Sequence, residues 1–193
     1  MRIRSIFFFI LLTSCSYHLG RSQNPEKIIV NVPYVQGDYN GLFTNELIRQ
    51  ISYSANLNYK YSDANYFLKV EIISDSTSQI GYKYDRDNNN ERCKTIRATE
   101  GRQTIAARIS LIECSTNLVK FGPFDVKADS EFDYVDPDSL NDLSFINAEK
   151  KRVTVLSYSL GQLESIENAK EAALKPLYES LSKKIVDAIL AYW

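Results

Sequence analysis

The sequence predicts an α+β fold in which a mixed, largely antiparallel sheet of about four strands packs on two helices, in the order β-α-β-β-β-α. Apolar and polar residues alternate over Tyr66–Ile73 and again within Lys94–Glu113, which is the period of a strand. From Leu163 to Tyr192 apolar residues recur every three or four positions, which is the period of a helix. The sequence shows no internal repeat or low-complexity segment.

The first half of the chain predicts a strand, a helix and the first strand of a long hairpin. Lys27–Pro33 is a short β run that ends in a proline, which cannot donate to a ladder. Asp38 or Asn40 is the expected cap of the following helix. That helix has one apolar face, formed at four-residue spacing by Phe43, Leu47, Ile51 and Ala55. The next strand extends from Tyr66 towards Tyr84, and the polar stretch 85–92 forms the hairpin tip.

The second half predicts two further strands and a long helix. The strand over 94–113 has a polar face and an apolar face, the latter formed by Ile105, Ala107, Ile109 and Leu111. Gly101 is the expected position of a bulge, and Val119–Tyr134 returns as the third hairpin strand. Residues 136–160 are ambiguous, although Val153–Tyr158 is typical of a strand. Pro176 predicts a kink in the last helix or the start of a new one.

Length and composition fit one globular domain, which we assign to residues 27–193. The chain has 193 residues, of which 44% are hydrophobic and 24% charged, so disorder throughout is not expected. The 23 Lys and Arg residues nearly balance the 24 Asp and Glu residues. Because nucleic-acid binders usually carry a large basic surplus, this balance argues against nucleic acid as a partner.

The N-terminus has the features of a bacterial secretory signal, assigned to residues 1–14. Arg2 and Arg4 form a basic start, and the apolar run over residues 6–12 is too short to span a membrane as a helix. Residues 15–26 follow as a polar tether.

A lipobox, the motif in which a small residue precedes a lipidated cysteine, matches Leu12–Cys15. The Cys15 sulfur would receive a diacylglyceryl group, and the new N-terminus would then be acylated. Apart from this covalent lipid we expect no cofactor. An ordinary signal peptide that carries a cysteine near its end is the alternative. Ser16 follows the cysteine. Since an Asp at that position retains lipoproteins at the inner membrane in well-studied Gram-negative bacteria, Ser16 indicates the outer membrane.

The residue inventory contains no recognisable catalytic arrangement, so we expect no enzyme. The sequence lacks a Gly-rich phosphate loop, GxSxG, HExxH and paired CxxC motifs. The only histidine, His18, lies in the tether. Carboxylate pairs such as Asp85/Asp87 lie in predicted loops, as chance pairs do. The stretch 133–138 lacks the glycine and final glutamate of an EF-hand, so we expect no metal.

Besides the lipidation site Cys15, the sequence has two cysteines, Cys93 and Cys114, and we expect both to be free thiols. If residues 94–113 form one strand, Cys93 and Cys114 lie at its opposite ends and cannot form a disulfide bond.

The stretch Cys15-Ser-Tyr-His-Leu19 followed by Arg21 resembles the start of the mature chain in the LPS-assembly lipoprotein (LptE) family. This chain has Ser16 where the family prefers glycine. The order of elements is similar over nearly the whole chain, whereas residues 136–160 depart from the compact family pattern.

This resemblance implies a non-enzymatic lipoprotein, lipid-anchored at the periplasmic face of the outer membrane. Members of the family sit in the lumen of a large outer-membrane β-barrel, act as its plug and assembly partner, and contact lipopolysaccharide (LPS) on its way to the cell surface. The family places one basic residue at the hairpin tip and another beyond the fourth strand, where each would meet lipid A phosphates. The candidates here are Lys83, Arg86, Arg92, Lys150, Lys151 and Arg152. The motif does not choose among them, and solvated surface charge is the alternative for each.

A different function is compatible with the same features. A periplasmic lipoprotein that binds and regulates another envelope protein, such as a peptidoglycan synthase, also carries a lipobox and a small domain of this class. Such proteins usually have a long tether that crosses towards the cell wall. The tether here, Ser16–Glu26, is short, which favours the first interpretation. An envelope hydrolase finds no support in the residue inventory.

Overall fold

The computed structural model describes residues 27–87, 89, 91–136, 144–154 and 165–193. The predictions for the signal, for Cys15 and for the tether lie outside these residues. The same holds for Leu163 and for much of the ambiguous segment 136–160.

Seven strands and two helices follow one another along the described residues. In chain order they are β1 (Ile28–Asn31), α1 (Leu42–Tyr53), β2 (Leu57–Tyr59), β3 (Tyr66–Arg86), β4 (Arg92–Glu113), β5 (Val119–Asp133), β6 (Ser144–Ile146), β7 (Arg152–Thr154) and α2 (Ile166–Tyr192).

The main sheet has five strands in the order β2-β1-β3-β4-β5. β1 pairs in parallel with both β2 and β3, and β3, β4 and β5 form an antiparallel meander. This confirms the predicted α+β class with a mixed sheet packed on two helices. The fifth strand, β2, is the three-residue segment in which Leu57 is buried. It was missed because three residues are too few to show a period.

Residues 144–154 add a small second sheet in which β6 and β7 pair antiparallel. β7 contains Val153 and Thr154, the start of the strand predicted over Val153–Tyr158. The remainder of that prediction lies outside the described residues.

The core lies between the helices and one face of the main sheet, as the apolar periods predict. In β4 the predicted apolar face is buried, and in β3 Leu68 and Val70 are buried. α2 continues through Pro176, so the alternative of a new helix there is wrong. Pro176 has no N–H group, so the carbonyl group of Ala172 one turn earlier lacks its helical hydrogen bond. Both residues are exposed, so water can bond to that carbonyl group instead. The largest fully buried side chains are Phe43, Leu47, Ile51, Leu57, Leu68, Ile105, Ile109, Leu111, Leu177, Leu181, Ile185 and Ile189.

The predicted bulge region around Gly101 is irregular, but Gly101 itself is paired, with Gln79 and Phe132. The register shifts flank Gly81, and the extra residues are Ile80 in β3 and Thr99 in β4. A Cβ atom at Gly101 would lie 2.5 Å from Cζ of Phe132. Glycine at this position therefore makes room for an aromatic ring on the neighbouring strand.

Both residues expected to cap α1 accept a hydrogen bond from its first turn, although the N-cap position belongs to Gly41. The amide of Leu42 donates to Oδ1 of Asn40 over 3.1 Å. Asp38 is buried, and its Oδ2 accepts from the amide of Thr44 at 2.7 Å and from the Thr44 hydroxyl at 2.6 Å. Gly41 adopts a left-handed conformation with φ of 73°, which a glycine tolerates without strain.

Asp38→Ala should destabilise the domain by about 1–3 kcal/mol, because the buried amide and hydroxyl of Thr44 lose their acceptor. Urea unfolding followed by circular dichroism measures this loss. The matched control is Asn40→Ala. The amide of Leu42 loses its acceptor in that variant, but it is exposed and can donate to water, so the loss of stability should be smaller. Equal losses in the two variants would contradict the role assigned to Asp38.

Candidate functional site

The long β3–β4 hairpin extends beyond the rest of the main sheet. Its register runs from Tyr66 opposite Glu113 to Arg86 opposite Arg92. The pairing of β5 with β4 ends earlier, where Asp133 lies opposite Glu100. The end of the hairpin is therefore a two-stranded ribbon, and it carries three of the six basic residues singled out in the sequence: Lys83, Arg86 and Arg92.

The ribbon has two chemically different faces. Since successive side chains of a strand point to opposite sides, Tyr82, Tyr84 and Arg86 share one face of β3, and Lys83 lies on the other. The Arg92 guanidinium carbon lies 3.5 Å from the centroid of the Tyr84 ring, which places Arg92 on the Tyr84 side. Ile96 lies directly opposite Tyr84 in the ladder.

We call the set Tyr82, Tyr84, Arg86, Arg92 and Ile96 the aromatic tip face. Tyr82, Tyr84 and Ile96 are exposed to solvent over 58%, 43% and 55% of their surfaces, and both arginines are exposed as well. Arg86 and Arg92 are register partners, so the two strands carry two guanidinium groups at the same end of the ribbon. Guanidinium groups form charge-assisted hydrogen bonds to anionic groups such as phosphates. The face therefore suits an amphiphile that carries both a negative group and apolar chains.

The opposite face of the ribbon is a mixed-charge cluster. Arg97 lies across from Lys83 and contacts two carboxylates, with its Nε 3.4 Å from Oδ2 of Asp85 and its Nη1 3.5 Å from Oδ2 of Asp136. Burial lowers the pKa of Lys83, and the charges of Asp85 and Asp136 offset part of this effect. The structure thus places Lys83 among carboxylates and separates it from Arg86 and Arg92.

The second basic group, Lys150 to Arg152, meets the hairpin tip although it is far away in sequence. Nη2 of Arg152 donates to the carbonyl oxygen of Asp87 over 2.7 Å, and its Nη1 donates to Oγ of Ser144 over 2.6 Å. Arg152 is therefore a structural link between the β6–β7 hairpin and the tip. Lys150 and Lys151 lie in the adjoining turn, both exposed, with Nζ of Lys151 3.8 Å from a carboxylate oxygen of Glu149.

Sequence reasoning missed Tyr82, Tyr84 and Ile96 as site residues. The i, i+2, i+4 spacing of Tyr82, Tyr84 and Arg86 was the signal that could have found them, because it places three side chains on one face of a strand. Cys93 lies at the start of β4 and Cys114 directly after its end, and both are free thiols.

Metal-binding clusters and membrane-spanning helices can be assessed for residues 27–87, 89, 91–136, 144–154 and 165–193. Within them no group of three or more His, Cys, Asp or Glu residues could hold a metal ion. None of the helices there combines the length and the apolar character needed to cross a bilayer.

The comparisons with known proteins give structural similarities at low sequence identity. No protein-family model matches the sequence, and neither does any curated protein. The fold is similar to rare lipoprotein B from Shewanella oneidensis, with a TM-score of 0.44, 13% identity, and coverage of 85% of this chain and 95% of that one. It is also similar to a minor lipoprotein from Acinetobacter baumannii (0.44, 9%, 86% and 94%) and to a hypothetical protein from Chlamydia trachomatis (0.44, 11%, 84% and 95%).

Proposed function

We propose that this chain is an outer-membrane lipoprotein that plugs a large β-barrel LPS translocon, acts as its assembly partner and contacts LPS during its delivery to the cell surface. One observation carries the proposal: two arginines are register partners at the end of a projecting hairpin, beside exposed aromatic side chains. The lipid anchor on Cys15 is the part of the proposal that rests on the sequence motif.

The chemistry of the aromatic tip face matches the chemistry of lipid A. An arginine guanidinium binds a phosphate group through two parallel hydrogen bonds, and such charge-assisted bonds are stronger than neutral ones. Arg86 and Arg92 are register partners, so two such groups lie at one end of the ribbon. Tyr82, Tyr84 and Ile96 then offer apolar surface beside the phosphate, where acyl chains can pack.

The sheet face turned away from the helices has the polarity that a barrel lumen requires. Arg108 of β4 lies between Glu71 and Asp125 in the ladder, and its guanidinium holds the Asp125 carboxylate with bonds of 2.8 and 3.0 Å. This pairing raises the pKa of Arg108 and lowers that of Asp125. Arg102 forms a second ion pair, in which Nε and Nη2 both donate to Oε1 of Glu131. Because the interior of an outer-membrane barrel is polar, such charge pairs suit contact with its wall.

The shape of the hairpin also fits a plug that touches LPS away from its own anchor. β3 has 21 residues and begins beside β1, the first strand after the tether. At a rise of about 3.3 Å per residue, the tip lies up to roughly 65 Å along the strand from that start. A lipoprotein held by Cys15 could therefore reach well into a barrel.

Co-purification from native membranes tests the plug assignment. The tagged full-length protein is extracted from its own outer membrane in mild detergent, and its partners are identified by mass spectrometry. A large β-barrel protein in stoichiometric amount is the expected result. Recovery of a cell-wall synthase, or of no partner, would overturn the assignment and favour the regulatory lipoprotein described above.

A further inference from the structure

The end of the domain at which β1 begins, here called the proximal end, carries exposed apolar side chains. Two backbone hydrogen bonds define this end, since the amide of Asn65 donates to the carbonyl of Ile29 and the amide of Cys114 donates to the carbonyl of Asn65, over 3.0 and 2.9 Å. The start of β1, the start of β3 and the β4–β5 turn therefore lie side by side. Asn65 also precedes Tyr66, which contacts the last residue of the sequence.

Aromatic side chains from α2, β3 and β5 form one cluster at the proximal end. The rings of Trp193 and Tyr66 meet edge to face with centroids 5.4 Å apart, and those of Trp193 and Tyr192 do so at 5.1 Å. The ring of Tyr192 lies 4.7 Å from Phe121. These contacts fix the position of Trp193 against the sheet.

Four members of this region face solvent, and we call them the proximal apolar patch: Leu118, Val119, Tyr192 and Trp193. Their exposed fractions are 63%, 51%, 54% and 52%. The amide of Glu113, the register partner of Tyr66, donates to the carbonyl of Leu118 over 3.0 Å, which places the β4–β5 turn beside the Tyr66–Trp193 pair.

We propose that the proximal apolar patch docks into the interfacial region of the phospholipid leaflet that holds the lipid anchor. This inference rests on the proposed lipidation of Cys15. The chain enters the fold at Ile28, within the proximal end, and the eleven tether residues Ser16–Glu26 reach at most about 40 Å when fully extended. The anchor therefore keeps this end of the domain within about 40 Å of the bilayer surface.

The composition of the patch selects lipid as its occupant. Trp and Tyr are enriched at membrane–water interfaces, where an apolar ring with one polar atom matches the headgroup region. Leu118 and Val119 supply aliphatic surface that gains from leaving water. The nearby Glu113 carboxylate is paired with Lys120, whose Nζ lies 3.5 Å away, so it presents no unpaired negative charge to the leaflet.

Trp193 is the only tryptophan of the sequence, so its fluorescence reports on the patch alone. The lipidated full-length protein is reconstituted into phosphatidylethanolamine–phosphatidylglycerol vesicles, and flotation is measured first. Emission is then measured with lipids brominated on their acyl chains and, separately, with aqueous iodide. We expect quenching by the brominated lipids and protection from iodide.

The matched control moves the reporter to Tyr39, which is 99% exposed and lies next to the start of α1, away from the proximal end. In the Trp193→Phe, Tyr39→Trp variant we expect iodide quenching and no effect of brominated lipids. Vesicles that float the protein while Trp193 stays open to iodide and insensitive to brominated lipids would overturn the docking proposal alone. Failure to float would refute the anchor itself, and the docking proposal with it.

Discussion

Cys15→Ala should leave the protein unlipidated and release it from membranes. The thiol is the group that would receive the diacylglyceryl moiety, and no other side chain in the lipobox can replace it. Each buried CH₂ of an acyl chain contributes about 0.8 kcal/mol, so losing two or more chains removes most of the membrane affinity. Palmitate labelling and membrane fractionation of cells that express the variant measure both consequences.

Cys93→Ala is the matched control for this experiment, because Cys93 is a free thiol in β4 and should affect neither labelling nor fractionation. Both variants should unfold at the temperature of the parent protein, since Cys15 precedes the folded domain and Cys93 makes no disulfide bond. A Cys15→Ala protein that still labels with palmitate and still fractionates with membranes would refute the lipoprotein assignment.

Reversing both charges of the aromatic tip face, with Arg86→Glu and Arg92→Glu together, should weaken LPS binding at least about tenfold. Hydrogen bonds to charged groups contribute about 1.5–3 kcal/mol each, and each tenfold change in Kd corresponds to about 1.4 kcal/mol. The glutamates would in addition repel the phosphates. Binding of purified LPS to the full-length protein in detergent, measured by a fluorescence or calorimetric titration, gives the ratio of affinities.

A control variant with the same change in net charge distinguishes a loss of LPS affinity caused at the tip from one caused by the net charge of the protein. Lys60→Glu with Lys183→Glu reverses two exposed charges away from the tip and should leave LPS affinity close to that of the parent. If both double variants lose affinity equally, the effect is one of net charge. If Arg86→Glu, Arg92→Glu binds LPS like the parent, the tip face is not the LPS site.

The sequence predicted the fold correctly in those elements in which the hydrophobic pattern repeats over many residues. The alternation in β3 and β4 and the three-to-four spacing in α2 each extend over enough positions to identify the buried face, and Leu68, Ile109 and Ile185 are all fully buried. β2 and the β6–β7 hairpin have strands of three residues, which show no period. Their pairing depends on contacts with distant segments, which a local pattern does not contain.

The candidate site could be predicted only in part, for a related reason. The basic residues at the tip were visible, and alternation along β3 already separates Lys83 from Arg86. The face of Arg92 was not visible, because register shifts near Gly81 and Tyr84 change which residues of β4 oppose β3. The pairing of Arg86 with Arg92 depends on these shifts. Arg152 was a candidate for phosphate binding, whereas the structure commits its guanidinium to the carbonyl of Asp87 and to Ser144.

Contact between the aromatic tip face and LPS is the central claim, and site-specific photocrosslinking in living cells tests it most directly. A photoreactive phenylalanine derivative replaces Tyr84, and in a second strain it replaces Tyr53, an exposed residue at the end of α1. After irradiation, adducts are detected with an antibody against LPS. We expect an LPS adduct from position 84 and little or none from position 53. No adduct from position 84, or equal yields from the two positions, would contradict it.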